Sequence, residues 1–186
     1  ADIIVSDPVL AHVLITMQID EYGLAFVVLP ARKHLALQVN ADQYLYYEKS
    51  FRPEKGTELR PVLQKVELEP IKAGKTIVLE NILFELNKAV LLPEALAGLK
   101  NLETFMKRNP DLTISLEGHT DSTGEENFNR KLSLDRAQAV ADFLMANGID
   151  AERLLVQGFG SDNPLSSNED ETGRARNRRV EMRIVE

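Results

Sequence analysis

Short apolar runs separated by turn residues occupy the first 51 positions of the chain. Four runs are rich in β-branched and other apolar residues, at positions 3–5, 12–19, 24–29 and 34–39. Runs of this length and composition predict strands. The polar segment 20–23 ends in Gly23, which favours a hairpin turn because glycine adopts a positive φ without strain. A second break is predicted at 30–33, so we expect a small all-β unit over residues 1–51.

Aromatic residues close this unit, and prolines and glycines mark the stretch that follows it. The rings cluster at Tyr44, Tyr46, Tyr47 and Phe51. They are interpreted either as core packing, which a small β unit needs, or as a binding platform. Residues 52–75 contain the turn-forming residues Pro53, Gly56, Pro61, Pro70 and Gly74. This composition predicts an extended connector with one segment that resembles an edge strand.

The hydrophobic period changes after residue 75. Residues 76–84 form a nearly continuous apolar run, which predicts a strand buried on both faces. Pro93 suits the first turn of a helix. Apolar residues then recur at helical spacing until Asn109 and Pro110 stop the pattern, at Ala95, Leu99, Leu102 and Met106. Residues 112–118 alternate between apolar and polar, which predicts a strand with one buried and one polar face.

The rest of the pattern predicts one more helix and two more strands. The helix runs from Glu126 to Asn147, and Gly148 follows it as the residue that ends it. Strands are predicted over 154–159 and around Met182, with a polar stretch at 160–173 between them. The order β-α-β-α-β-β, with helices as crossovers, predicts an α+β domain over residues 76–186. Its mixed sheet is covered on one face by two helices.

Composition narrows the functional classes. The chain has 186 residues and a formal net charge of −7, which argues against a sequence-independent nucleic-acid binder because such proteins present a basic footprint. Cysteine is absent, so disulfides and thiol chemistry are excluded. Five arginines crowd the C-terminus, and we interpret them mainly as a solvated face that pairs with acidic neighbours at 169–171: Arg174, Arg176, Arg178, Arg179 and Arg183.

The turn at residues 118–124 is the candidate site, because it joins the carboxyl end of a strand to the start of a helix. Asp121 lies in this turn, and Arg136 follows it by fifteen positions. Asn129 and Arg136 are seven apart and share one helical face. The Asp121–Arg136 pair is interpreted either as a structural salt bridge or as a binding site. In a binding site the carboxylate receives an ammonium and the guanidinium receives a carboxylate.

Two other chemistries use the same residue types. His119 and Asp121 are metal-ligand types, but the three histidines show no recognised ligand spacing and cysteine is absent. We therefore predict neither a metal nor a cofactor. Ser115, His119 and Asp121 are hydrolase-triad types, but all come from one strand and its turn, whereas a triad converges from separate elements. We predict a protein that is not an enzyme.

Three motifs give the C-terminal half a family resemblance. The helix carries N-x-x-L-S-x-x-R-A-x-x-V-x-x-x-L, the turn reads G-H-T-D-x-x-G, and residues 173–180 read G-R-A-x-N-R-R-V. The helix motif is met by Asn129, Leu132, Ser133, Arg136, Ala137, Val140 and Leu144. From about residue 77 onward the chain resembles the OmpA-like domain, which occurs in OmpA C-terminal regions, the peptidoglycan-associated lipoprotein and the periplasmic part of MotB.

The resemblance implies recognition of peptidoglycan through the diaminopimelate of its stem peptide. When this residue is not cross-linked, its side-chain end carries both an ammonium and a carboxylate. Asp121 and Arg136 match the family's principal ligand-binding pair. The matching supporting positions are Thr123, Asn129, Asn87 and Arg179. The function expected is a periplasmic tether that links an outer-membrane protein to the cell wall.

The first unit resembles a different module, and two other functions stay open for the chain. Residues 1–51 resemble the latter part of a carboxypeptidase regulatory-like, transthyretin-type β-sandwich module, with an edge open to strand addition. The alternative function is a structural or assembly module of the envelope that docks another protein. A third, a hydrolase acting on wall material, predicts turnover of peptidoglycan.

Overall fold

A computed structural model describes residues 1–7, 12–30, 34–53, 63–79 and 82–185. The chain forms two compact units, Ala1–Ile71 and Lys72–Glu186. The division between them falls inside the stretch predicted as a connector, of which residues 54–62 lie outside the described ranges. Residues 31–33 of the second predicted break also lie outside them. Among the helices in the described ranges, none has the length and hydrophobicity required to cross a bilayer.

The first unit is a four-stranded antiparallel sheet in its described part. The strands are β1 (Asp2–Asp7), β2 (His12–Gln18), β3 (Leu35–Asn40) and β4 (Tyr47–Phe51), in the order β2-β1-β3-β4. Its buried apolar residues are Val5, Leu35, Ala36, Val39, Leu45 and Tyr46. The small all-β unit predicted from the sequence is confirmed.

The strand predicted over residues 24–29 does not form. Asp20 closes the preceding turn on itself, since its side chain accepts hydrogen bonds from the backbone N–H groups of Tyr22 at 3.0 Å and Leu24 at 2.7 Å. Beyond this turn the chain is irregular, and Phe26 and Val28 are 78% and 94% exposed. β-Branched composition stabilises a strand only where neighbouring side chains cover it, and here they do not.

The aromatic cluster contains both buried and exposed side chains. Tyr46 is buried, and burial raises the pKa of its hydroxyl. Tyr44 is 41% exposed and forms an isolated antiparallel bridge with Pro70. Hydrogen bonds from Leu45 N to Glu69 O and from Ile71 N to Gln43 O continue this pairing. Core packing therefore accounts for Tyr46, and the segment around Pro70 packs on the first unit.

The second unit is a mixed four-stranded sheet with helical crossovers. Its elements are β5 (Thr76–Val78), a 3-10 turn (Pro93–Ala95) leading into α1 (Leu96–Arg108), β6 (Ile114–Gly118), α2 (Glu126–Ala146), β7 (Leu154–Gly158), α3 (Glu171–Asn177) and β8 (Val180–Ile184). The strand order is β5-β8-β6-β7. β6 and β7 are parallel, and β8 is antiparallel to both β5 and β6. The α+β class predicted from the sequence is confirmed.

The core of the second unit lies where α2 packs on β6 and β7 and against α1. Leu116 and Met182 are paired across β6 and β8, as are Ile114 and Ile184, and all four side chains are buried. Val140 of α2 is fully buried. Gly148 ends α2 with a φ of +88°, as its place in the sequence predicts.

Two predictions for the strands of this unit are wrong. In its described part, the run at 76–84 gives a three-residue strand at the sheet edge, with Thr76 and Val78 exposed, because β5 pairs with β8 alone. The polar face of β6 is not solvated, since Ser115 and Glu117 are 0% and 7% exposed. Both faces of β6 are therefore buried, one by apolar and the other by polar side chains.

Helix α3 begins inside the stretch 160–173, which the sequence pattern predicts only as polar, and continues to Asn177. The Asp170 side chain accepts a hydrogen bond from Gly173 N at 2.7 Å and caps the helix start. An aspartate at the N-cap position is a recognised start signal. Because α3 is only seven residues long, its apolar period is too short to detect.

Candidate functional site

Strand β6 and helix α2 meet in direct backbone contact at the candidate site. A Cβ placed on Gly118 would lie 1.9 Å from the backbone oxygen of Ser133, and one on Gly158 would lie 2.5 Å from Leu134 N. Only glycine allows this approach. The turn after Gly118 is therefore held against the first half of α2.

Asp121 lies in this turn as a largely buried carboxylate with two partners. Its Oδ1 accepts a hydrogen bond from Thr123 N at 2.9 Å, and its Oδ2 accepts one from Arg178 Nη1 at 2.7 Å. Burial by itself would raise the pKa of Asp121, but the hydrogen bonds from Arg178 and Thr123 outweigh it and lower this pKa. Asp121 is therefore a fixed negative charge at neutral pH.

Asn129 holds the shape of the turn. Its side chain is buried, and its Nδ2 donates to Thr123 O at 3.0 Å and to Asp121 O at 3.5 Å. The structure thus brings together three residues predicted for the site, Asp121, Thr123 and Asn129. Because the Asn129 amide donates to backbone carbonyls, its contribution is the position of the turn.

Arg136 lies about two turns beyond Asn129 on the same face of α2 and is 7% exposed. Its Nε donates to Lys88 O at 3.1 Å, and its guanidinium carbon lies 5.2 Å from the centre of the Phe84 ring. Burial and the charge of Arg178 lower the pKa of Arg136, while the charge of Asp121 opposes them. The guanidinium nevertheless stays charged.

Asp121 and Arg136 do not form the salt bridge that one interpretation of the sequence offered. Among the described residues, the ion pair of Asp121 is with Arg178, and the hydrogen bond of Arg136 is to Lys88 O. The two groups still act on each other electrostatically. The Asp121 carboxylate thus pairs directly with Arg178 and interacts with the buried Arg136 guanidinium only through space.

Asn87 belongs to the loop that Arg136 contacts. Hydrogen bonds from Leu92 N to Leu83 O and from Glu85 N to Val90 O close this loop. Asn87 is exposed and has a φ of +55°, a left-handed conformation that asparagine tolerates. Asn87 is the sequence neighbour of Lys88, whose backbone oxygen accepts the hydrogen bond from Arg136.

Arg179 is not brought to Asp121. Its Nε donates to Glu181 Oε1 at 2.6 Å and its Nη2 donates to Asn163 O at 3.0 Å. Successive residues entering a strand point in opposite directions. Arg178 therefore turns towards Asp121, while Arg179 turns away from it.

Arg178 is the site residue that sequence reasoning missed. It lies in the G-R-A-x-N-R-R-V motif beside Arg179, so the signal was present but one position away. Its Nη2 also donates to Glu171 Oε1 at 2.6 Å, and Arg174 pairs with Glu171 at 3.1 Å. These two ion pairs confirm the predicted pairing for Arg174 and Arg178. For the rest of the cluster the prediction is wrong in part, because Arg179 is buried and pairs with Glu181, and Arg183 pairs with Glu117.

The buried Asn177 connects the loop at residues 165–168 to the site. The Asn177 side chain accepts hydrogen bonds from Leu165 N at 2.8 Å and Ser166 N at 3.0 Å, and donates to Asn168 Oδ1 at 2.9 Å. Asn168 Oδ1 in turn accepts from Ser122 N at 3.1 Å. The Asp121 turn is thus supported on its far side through Asn177.

Asn177→Ala is expected to lower the free energy of unfolding by about 3 kcal/mol, because the fully buried Asn177 side chain is the acceptor for two part-buried backbone N–H groups, and each lost acceptor costs about 1–3 kcal/mol. Urea unfolding followed by circular dichroism measures this loss. Asn163→Ala is the control, since that side chain is exposed, and it should change the free energy by less than about 0.5 kcal/mol. Equal values for the two variants would contradict the supporting role of Asn177.

The assembled side chains form a site of mixed charge, with a fixed carboxylate flanked by two guanidinium groups. Comparison with known proteins identifies the family of the chain. A model of the OmpA family matches residues 83–178. The chain belongs to the OmpA family. This confirms the resemblance based on the turn, helix and C-terminal motifs.

Individual proteins are similar to the chain over part of its length. The protein named "Probable lipoprotein YiaD" of Escherichia coli is 35% identical over 129 residues, covering 68% of this chain and 59% of that protein. The peptidoglycan-binding protein ArfA of Mycobacterium tuberculosis is 41% identical over 101 residues, covering 54% and 31%. The chain therefore spans about three fifths or less of these relatives.

One solved structure is similar to the chain in both fold and sequence. The cell wall anchor of the T6SS from Pseudomonas aeruginosa superposes with a TM-score of 0.51 at 33% identity. The match covers 60% of this chain and 80% of that one. The fold of the second unit is that of this anchor.

Proposed function

We propose that the second unit binds the peptide stem of peptidoglycan non-covalently and tethers an outer-membrane protein or complex to the cell wall. The observation that carries this proposal is the Asp121–Arg136 arrangement, in which opposite charges are close but each lacks the other as a direct partner. The names of the relatives support it, since they include a peptidoglycan-binding protein and a cell wall anchor.

The ligand group we propose is the side-chain end of diaminopimelate, which carries an ammonium and a carboxylate. The ammonium binds Asp121, and the carboxylate binds the planar guanidinium of Arg136. Arg178 already has Glu171 as a second partner. Asp121 can therefore exchange Arg178 for the ligand ammonium without leaving Arg178 unpaired.

The supporting residues fix this geometry. Thr123 and Asn129 hold the turn that carries Asp121, and Asn87 lies at the rim of the Arg136 side. Arg179 stays outside the ligand contacts, since its hydrogen bonds are to Glu181 and Asn163. In this proposal the turn, α2 and the loop at 83–92 all contact the ligand.

Binding without catalysis is the second part of the proposal. Ser115 Oγ and both ring nitrogens of His119 have no hydrogen-bond partner within the described residues. A hydrolase triad requires the nucleophile, base and carboxylate to be linked by such bonds. The names of the relatives support the proposal that the protein holds the wall without cutting it, since they describe a peptidoglycan-binding protein and a cell wall anchor.

Retention at the wall then comes from many weak contacts. We propose a location in the periplasm, in association with the outer membrane and the wall, where each copy binds reversibly and the lattice offers many equivalent sites. For the first unit we propose a carboxypeptidase regulatory-like β module. Its exposed Tyr22, Phe26 and Val28 favour the alternative function, which is docking of another envelope protein.

A matched pair of ligands tests the proposal. We expect calorimetric titration with a muropeptide whose diaminopimelate is not cross-linked to give saturable binding. Acylation of its side-chain amine should weaken binding at least about 100-fold, a loss on the order of 3 kcal/mol, because the uncharged amide nitrogen can no longer replace Arg178 as the cationic partner of Asp121. Equal affinity for the two muropeptides would point to the docking alternative.

A further inference from the structure

The sheet face opposite α2 carries a buried polar cluster that the proposed wall site does not use. Glu117 of β6 lies directly across from Glu181 of β8 in the antiparallel register. The two residues are 7% and 9% exposed. Like charges opposite each other destabilise a sheet, so this pair requires compensation.

Two arginines compensate only half of each carboxylate. Arg183 Nε donates to Glu117 Oε1 at 2.6 Å, and Arg179 Nε donates to Glu181 Oε1 at 2.6 Å. Within the described part of the chain, Oε2 of neither glutamate has a hydrogen bond. Glu181 Oε2 lies 3.7 Å from His119 Nε2, so one free carboxylate oxygen faces the imidazole.

His119 is the least satisfied side chain of this cluster. It is 2% exposed and stacks on Phe159 with ring centres 5.4 Å apart. Neither Nδ1 nor Nε2 has a hydrogen-bond partner among the described residues. A neutral imidazole carries a free lone pair on one of these nitrogens, and a cation can bind it. A buried polar group without a partner costs about 1–3 kcal/mol and requires an explanation.

We propose that Glu117, His119 and Glu181 form a binding site for a divalent cation of the zinc type. One ligand atom from each residue lies within 4.8 Å of the others. A tetrahedral zinc site with bonds of about 2.1 Å needs separations of about 3.4 Å, which side-chain rotations supply. Imidazole nitrogen and carboxylate oxygen are both zinc ligands, and water fills the fourth position of a site with three protein ligands.

The surroundings suit such a cation in two ways. The hydrogen bonds from Arg179 and Arg183 orient the carboxylates as outer partners do in metal sites. The Arg183 side chain is 42% exposed, which gives the ion an entrance and lets solvent screen the arginine charge. Asp121, which the sequence offers beside His119 as a metal-ligand type, is not part of this cluster.

The test uses the full chain with His12→Gln and His34→Gln, which leaves His119 as its single imidazole. Zinc chloride is titrated calorimetrically, and the imidazole nitrogens are followed by ¹⁵N NMR. We expect saturable binding of one ion per chain and a large shift of one His119 nitrogen resonance. Absence of saturable binding, or an unmoved His119 resonance at saturation, would overturn the site.

Glu117→Gln in the same background tests the carboxylates. It keeps the size of the side chain and removes the charge, and we expect at least a tenfold loss of zinc affinity. Glu152→Gln is the matched control at an exposed position and should leave the affinity unchanged. Undiminished binding by a folded Glu117→Gln variant refutes the assignment. Should that variant not fold, the His119 resonance of the parent decides the question.

Discussion

Arg136→Ala is expected to abolish measurable binding of the un-cross-linked muropeptide while the protein remains folded. The guanidinium is buried beside Asp121 and Arg178, so its loss leaves the ligand carboxylate desolvated without a partner. Removing one partner of such a buried charge pair costs about 2–5 kcal/mol. This corresponds to a loss of roughly 30-fold to several thousand-fold in affinity. Asp121→Asn should act in the same range through the ligand ammonium.

Calorimetry and co-sedimentation with purified sacculi measure this effect, and circular dichroism checks the fold. Arg130→Ala is the matched control, because Arg130 lies on the same helix and its side chain is 50% exposed in an ion pair with Asp162. Exposed pairs contribute little, so this variant should bind like the wild type. An Arg136→Ala protein that still sediments with sacculi would remove the basis of the proposed function.

The elements that could be predicted from sequence are those whose signals are local. Helix α2 has a long apolar period and ends at Gly148, and its predicted span of residues 126–147 differs from the observed one by a single residue. The runs at 24–29 and 76–84 were over-predicted, since strand formation depends on a covering surface that the run itself does not specify. Side chains of the first run, such as Phe26 and Val28, are exposed, so no surface covers them. The second run forms the edge strand β5, which has a neighbouring strand on one side.

The same distinction applies to the candidate site. Asp121, Thr123 and Asn129 are joined by hydrogen bonds over at most eight positions, so motif spacing was enough to group them. Whether Arg178 or Arg179 reaches Asp121 depends on the register in which the chain enters β8 after a long loop. A shift of one residue reverses the direction of each side chain. The burial of Glu117 was invisible for a related reason, because its partner Arg183 is 66 positions away.

Gly118→Ala is expected to lower the free energy of unfolding by about 3 kcal/mol or more, which is near the upper end for single substitutions. The added Cβ would lie 1.9 Å from the backbone oxygen of Ser133, and neither β6 nor α2 can yield by rotating a side chain. Guanidinium chloride unfolding measures the change.

Gly74→Ala separates this clash from ordinary glycine strain. Gly74 has a φ of +82°, and a methyl group added there would meet no other atom within 4 Å, so its replacement should cost only about 1 kcal/mol. A Gly118→Ala protein no less stable than Gly74→Ala would mean that β6 and α2 tolerate separation. The expected larger loss would instead show that the contact between β6 and α2 is rigid. The spacing of Asp121 and Arg136, which we propose selects the ligand, would then be built into the packing of the sheet.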